Sequence, residues 1–189
     1  LMMITKGLWK RRRRRKAEHI WREPKPHLGE MVQMDGSHHA WLEERGPKLV
    51  LMGLVDDATN RYYGRFYDHE GVHPAMDVLR RYIERYGLPQ SLYLDKHSTY
   101  KTTRQPDTDE LLRDEQAQTQ FERAVAEAGI KIIHAHSPQA KGRIERSFGT
   151  LQNRLVKEMR LAGIRTIEAA NRFLEGYLEV FNRRFMKEA

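Results

Sequence analysis

Apolar residues in this chain fall into short periodic runs, and the period changes along the sequence from about two to about 3.6 residues. Between Met31 and Glu70 the runs MVQMD, KLVLMGLVD and RYYGRFYDH predict three strands, with DDATN supplying turn chemistry between the last two. Strands this close in sequence predict an antiparallel meander. From Pro74 to Tyr86 the spacing becomes helical: Ala75, Val78, Leu79, Tyr82 and Ile83 share a face, and Gly87 stands where a helix stops. SLYLD at 91–95 predicts a short buried strand. Helical spacing returns at Phe121, Ala124, Val125 and Ala128 and ends at Gly129, after which KIIHAH at 131–136 predicts a fifth strand. Ser137 as N-cap and Pro138 at the first helical position start a long helix to about Ala162. Its stripe is Ile144, Phe148, Leu151, Leu155 and Met159. A last helix over 166–185 presents Ile167, Ala170, Leu174, Tyr177, Leu178 and Phe181. The order βββαβαβα, followed by that helix, predicts an α/β fold: a mixed five-stranded sheet, its first three strands antiparallel, flanked by helices.

Polar segments divide the 189 residues into a basic arm or linker at 1–30, a core at 31–163 and a helical extension at 164–189. Pro24, Pro26 and Gly29 interrupt regular structure just before the core. The stretch 101–116, KTTRQPDTDELLRDEQ, reads as an inserted loop. For the last helix, packing on the core and mediating assembly both stay open.

Charge sharpens this division. The net charge is +8, and KRRRRRK at 10–16 contributes seven positive charges, leaving +1 for everything else. A run of this kind stays extended or weakly helical until it meets a polyanion, so Arg11, Arg12, Arg13, Arg14 and Arg15 are candidate DNA-phosphate contacts, with a nuclear-localisation-like tract or a solvated linker as the alternatives. The chain has no cysteine, which excludes disulfides, thiolate zinc sites and cysteine nucleophiles. No apolar run approaches a membrane span and no secretory signal opens the sequence, so an intracellular soluble protein without a membrane partner is expected. The start at Leu1, followed almost at once by the arginine tract, suggests a piece of a longer protein.

Three carboxylates carry the candidate chemistry. Asp35 closes MVQMD, Asp95 closes SLYLD, and Glu145 lies in SPQAKGRIERSFGTLQNRL on the long helix. A single strand-end aspartate is usually a turn or cap residue. Here the first and fourth strands, placed side by side and parallel, bring both aspartates to one edge, which the helix with Glu145 crosses. Lys141 and Gln152 share the face of Glu145. Unneutralised carboxylates repel, so the arrangement makes sense around divalent cations, and two Mg²⁺ (or Mn²⁺) ions suit the oxygen donors. Asp56 and Asp57 read as turn residues, with Asp57 as an auxiliary ligand the lesser alternative. His97 reads as a loop hydrogen bonder, with phosphate or water orientation the alternative. Without cysteines or a helical H-x₃₋₅-H pair, the histidine pairs 38/39 and 134/136 rank low as zinc ligands.

VQMDGSHHAWLEERGPK, LVDDATNR, YLDKHSTY and above all HAHSPQAKGRIERSFGTLQNRLVKEMR resemble the integrase-type catalytic core of bacterial insertion-sequence DDE transposases, a family similar to retroviral integrases and Mu transposase. The resemblance covers residue 30 to about 185, and S-P-x-x-K-G-x-x-E is its most specific piece. It implies a ribonuclease H-like fold with metal ligands and catalytic residues at Asp35, Asp95 and Glu145. It also implies donor-DNA contacts at Lys141 and Arg143, extended by Arg146, Arg154, Lys157 and Arg160. Retroviral integrases space their last two acids more closely, and the loop 101–116 supplies the extra length here. The implied activity is metal-dependent phosphodiester hydrolysis followed by 3′-OH strand transfer between transposon ends and target DNA. The implied enzyme is a homo-oligomer acting in the bacterial cytoplasm at the nucleoid. Two other readings stay open: a structure-specific nuclease of the same fold, and a DNA-binding or assembly module without chemistry.

Overall fold

The computed structural model describes residues 23–95, 119–134 and 142–189. The arginine tract, the loop 101–116 and the expected helix start at Ser137–Pro138 lie outside them. Five strands, β1 (Val32–His39), β2 (Leu49–Asp56), β3 (Tyr62–Tyr67), β4 (Ser91–Leu94) and β5 (Lys131–His134), form one sheet in the order β3-β2-β1-β4-β5. The pairs β1/β2 and β2/β3 are antiparallel, and β1/β4 and β4/β5 are parallel, so the expected meander and the expected β1–β4 adjacency are both present.

Among the described residues four helices cover the sheet: α1 (Val72–Tyr86), α2 (Gln120–Glu127), α3 (Gly142–Leu161) and α4 (Ile167–Phe185). Side chains alternate across a strand, and β2 shows the result. Leu49, Leu51 and Val55 face α3 and α4, in a cluster with Trp41, Tyr62, Phe66, Phe148, Leu151 and Leu174. Val50, Met52 and Leu54 face α1 and α2, in a cluster with Val32, Met34, Leu92, Leu94, Val78 and Phe121. All eight residues of β2 are buried, which explains its nearly unbroken apolar run.

One expectation needs correction. Asp35 does not end the first strand: β1 continues through Gly36, Ser37 and His38 to His39, paired with β2 as far as His39↔Leu49. The polar residues GSHH hid this continuation, because the partner β2 supplies the hydrogen bonds and most of the apolar surface.

The outer edge of the sheet is sealed by α4. Asn171 accepts from Phe66 N–H (2.8 Å) and donates to Phe66 C=O (3.0 Å). Asn182 makes the same pair of bonds to Tyr62, at 2.8 Å each. Two side-chain amides thus occupy main-chain groups on the open side of β3, which would otherwise offer a template for another strand. The last helix therefore packs on the sheet, with Ala170, Leu174, Leu178 and Phe181 in the same cluster as α3.

Candidate active site

The position of Asp35 and Asp95 follows from strand register. In the parallel β1/β4 pair Gln33 lies opposite Tyr93, an offset of 60 residues (93 − 33), and the same offset relates Asp35 to Asp95 (95 − 35). Continued two residues beyond the last paired position, that register would bring Asp35, within β1, level with Asp95, which directly follows β4. Alternation then fixes the side of Asp35. Gln33 and Ser37 both bond to α3, so Asp35 between them points to the α3 face; Leu92 and Leu94 point to the opposite face, and Asp95 follows directly after β4. Asp35 and Asp95 are half-buried and Glu145 is exposed.

Glu145 comes to this face through α3, which is bonded to β1 and its following loop at three levels. Near its start, Ile144 N–H donates to Gln33 Oε1 at 3.3 Å. In the middle, Gln152 Nε2 donates to Ser37 Oγ at 3.1 Å. At its end, Arg45 Nη1 donates to the carbonyls of Met159 and Ile164, both at 3.0 Å, satisfying acceptors that a helix C-terminus leaves open. Glu145 directly follows the first of these anchors.

The surroundings of the acids are partly apolar and partly polar. Across from Asp35 on β2 stands Gly53. A Cβ there would lie 2.3 Å from Tyr62 Oη and 2.9 Å from Phe148 Cε1, so glycine makes room for both rings beside Asp35. Burial first, and then the charge of Asp35, hold the Tyr62 phenol well above its ordinary pKa. Beside Asp95, His134 Nδ1 approaches the Asp95 carbonyl at 3.5 Å, and its Nε2 pairs with Glu122 Oε1 at 3.1 Å. Glu122 belongs to the capping box that starts α2, so the β4 end is tied to a helix N-terminus.

Three hard oxygen donors suit Mg²⁺ or Mn²⁺ by chemistry. Among the described residues, no three Asp, Glu or His side chains stand together as a closed metal cluster.

Of the candidate DNA contacts, Lys141, Arg11, Arg12, Arg13, Arg14 and Arg15 lie outside the described residues, and Arg146 is exposed. Arg143 is engaged within the fold: its Nε is 2.9 Å from Asp57 Oδ1, and its side chain is 16% exposed against 0% for Asp57. Asp56 is the turn residue it was read as, accepting from Thr59 N–H (2.8 Å) and Thr59 Oγ1–H (2.7 Å). Sequence reasoning did not single out Gln33, although a glutamine at the inward parity of MVQMD was a visible signal.

No family model matches the chain. The y4bF protein of Sinorhizobium fredii, which is named as a transposase, is 39% identical over 184 residues, 97% of this chain and 39% of that protein. The transposase for insertion sequence IS1202 of Streptococcus pneumoniae is 36% identical over 172 residues, 90% of this chain and 36% of that protein. The chain therefore spans less than two fifths of either relative. Among solved structures, the simian T-cell lymphotropic virus intasome in complex with a PP2A regulatory subunit gives a TM-score of 0.61 at 17% identity, covering 78% of this chain and 48% of that one. The HTLV-2 integrase catalytic core domain in complex with magnesium gives 0.57 at 16% identity, over 77% of this chain and 82% of that one. The catalytic core domain of BIV integrase gives 0.52 at 20% identity, over 75% and 78%. These structures share the mixed five-stranded sheet with flanking helices, so the fold expected from sequence is the fold observed.

Proposed function

We propose, from the premise that this chain belongs with the insertion-sequence transposases in sequence and with the retroviral integrase cores in fold, that it is a DDE-type catalytic core which cuts DNA and joins the freed 3′ end to a target. What supports this reading is the parallel β1/β4 register, whose 60-residue offset (93 − 33) is also the spacing of Asp35 and Asp95, beneath the helix bearing Glu145.

Asp35, Asp95 and Glu145 would hold the divalent metal, taken as two Mg²⁺ or Mn²⁺ ions. When bound, the metal supplies charge stabilisation at the scissile phosphate and an activated attacking oxygen. The protein's own share is positional. The sheet fixes two ligands, α3 presents the third, and no nucleophilic side chain is required. Exposed Arg146, with Lys141 and the arginine tract, would neutralise DNA phosphates. Among the described residues no helix is long and apolar enough to cross a membrane. Solved relatives include dimeric and trimeric core forms, and we extend this to a homo-oligomer acting on transposon ends and target DNA in the bacterial cytoplasm at the nucleoid.

The test uses a labelled duplex with a recessed 3′-OH and a supercoiled plasmid in Mg²⁺ or Mn²⁺. Asp35→Asn, Asp95→Asn and Glu145→Gln should each abolish nicking and joining together. Activity retained by any one removes that residue from the site. Nicking without joined product would identify a nuclease of the same fold.

A further inference from the structure

The Gln33–Ile144 anchor belongs to a larger buried polar cluster at the foot of α3, whose other members the scheme above does not use. Asp57 is fully buried just past the end of β2, yet its carboxylate accepts at least three hydrogen bonds from the described residues. Oδ1 takes Gln33 Nε2 (3.0 Å) and Arg143 Nε (2.9 Å), and Oδ2 takes the backbone N–H of Lys25 (2.8 Å). Asp57 is itself tied to β1, because its N–H donates to Met31 C=O at 3.0 Å. The other end of the Gln33 amide accepts from Ile144 N–H. Arg143 reaches on to Asn60 Oδ1 at 3.5 Å. One glutamine therefore reads both partners: its donor binds the carboxylate that holds Arg143, and its acceptor binds the next residue of the helix.

The location of this cluster gives it a function. Gln33 precedes Asp35 by one strand repeat on the same face, and Arg143 and Ile144 immediately precede Glu145. A slide or turn of α3 against β1 would break the Arg143–Asp57 pair and the Gln33–Ile144 bond together. Breaking a buried pair leaves a charge without compensation, so intermediate positions of the helix are strongly disfavoured.

We propose that Gln33, Asp57 and Arg143 are positioning residues that lock the first turn of α3 to β1 and so hold Glu145 level with Asp35 and Asp95. This rests on the metal-dependent reading above for its consequence, but the lock itself can be measured without metal. It also gives Arg143 a role other than binding DNA phosphate.

The experiment compares Gln33→Ala, Asp57→Asn and Arg143→Met with the parent chain and with Val125→Ala, a core substitution on the opposite face of the sheet. Amide hydrogen exchange at residues 143–146 is followed by NMR without metal, and thermal stabilisation is titrated with Mn²⁺ alone. Exchange at the start of α3 should rise in all three variants and remain at the parent level in Val125→Ala. The Mn²⁺ concentration giving half of the thermal shift should rise about tenfold or more in the three variants, in the range seen when groups supporting metal ligands are removed. Parent-like exchange together with a parent-like Mn²⁺ response overturns the proposal. So does an Arg143→Met variant that responds normally to Mn²⁺ but binds DNA more weakly, with a shallower salt dependence, because that marks a phosphate contact. If the parent shows no Mn²⁺ shift that Asp35→Asn removes, the metal-site reading fails, and the exchange data still decide whether the lock exists.

Discussion

Helices α3 and α4 lie on the same face of the sheet, and each is fastened to it by different chemistry. Along α4, Asn171 and Asn182 pair with main-chain groups of the edge strand, neutral amide against neutral amide. Along α3, the first turn is held by an ion pair from part-buried Arg143 to fully buried Asp57, with Gln33 linking Asp57 to the Ile144 N–H. A neutral amide pair satisfies the strand edge but tolerates small shifts of the helix. A buried ion pair contributes little net stability against an apolar replacement, yet penalises displacement heavily. The stiffer fastening is found beside the acids, where the position of one side chain matters to a fraction of an ångström. The other is found where the task is to close an edge.

The largest effect that separates the two regions is on activity. Neutralising any of Asp35, Asp95 and Glu145 should remove nicking and joining while leaving urea unfolding near that of the parent, since none of the three lies in the apolar clusters. The reverse pattern is expected at α4. Asn171→Leu leaves a buried N–H and C=O of Phe66 without partners, at about 1–3 kcal/mol for each unpaired group. Asn182→Leu should cost somewhat less, because its bonds are only part-buried. Urea unfolding should show these losses. Size-exclusion chromatography should show new oligomers through the opened β3 edge, and activity per folded molecule should stay near normal. Lost activity without lost stability at Asn171 would erase the distinction.

Gly53 joins the two regions, since the rings it accommodates, Tyr62 and Phe148, belong to the edge strand and to α3. Gly53→Ala should cost about 1–3 kcal/mol, the usual range for overpacking a core. Because Phe148 lies on α3, it should also weaken the Mn²⁺ response. A stability loss with an unchanged Mn²⁺ titration would show that α3 holds its place without this contact.

Much of this arrangement was legible because it is local. The stripe Ile144, Phe148, Leu151, Leu155 and Met159 is buried as its spacing requires, and turn residues marked the meander. The parallel neighbours β1 and β4 were inferred from element order, and the observed sheet pairs them in parallel. The fastenings were not legible, because their partners are far apart in sequence: 105 and 120 residues for the asparagines, 111 for Gln33 with Ile144. No periodicity marks such pairs. Arg143 shows the same limit: beside a candidate glutamate it reads as a phosphate contact, and its pairing with Asp57, 86 residues away, leaves no mark in the sequence. The length of β1 was missed for a related reason: its second half is held by β2 rather than by its own apolar residues.

The opposite face of the sheet offers a third kind of fastening, and the smallest effect. On α1, Asp77 accepts from Tyr67 Oη–H (2.8 Å), Arg80 Nη2 (2.9 Å) and Arg81 Nε (2.9 Å), linking the helix to β3 in a largely solvated network. Desolvation alone would raise the pKa of this carboxyl, but the hydrogen bonds from Arg80, Arg81 and Tyr67 outweigh it and bring it down to about 2. The folded-state pKa is thus below the unfolded one. The contribution is fully present above about pH 4, the ordinary aspartate range, and is lost as pH falls towards 2. Solvent screening limits its size to about 1 kcal/mol. Asp77→Asn should therefore lower stability at pH 7 by about that amount and flatten the decline between about pH 4 and 2. Only below about pH 2, where the folded-state carboxyl is itself protonated, should the variant and the parent converge. A gap that persists there would mean that Asp77 acts through neutral hydrogen bonds, as the asparagines of α4 do, rather than through charge.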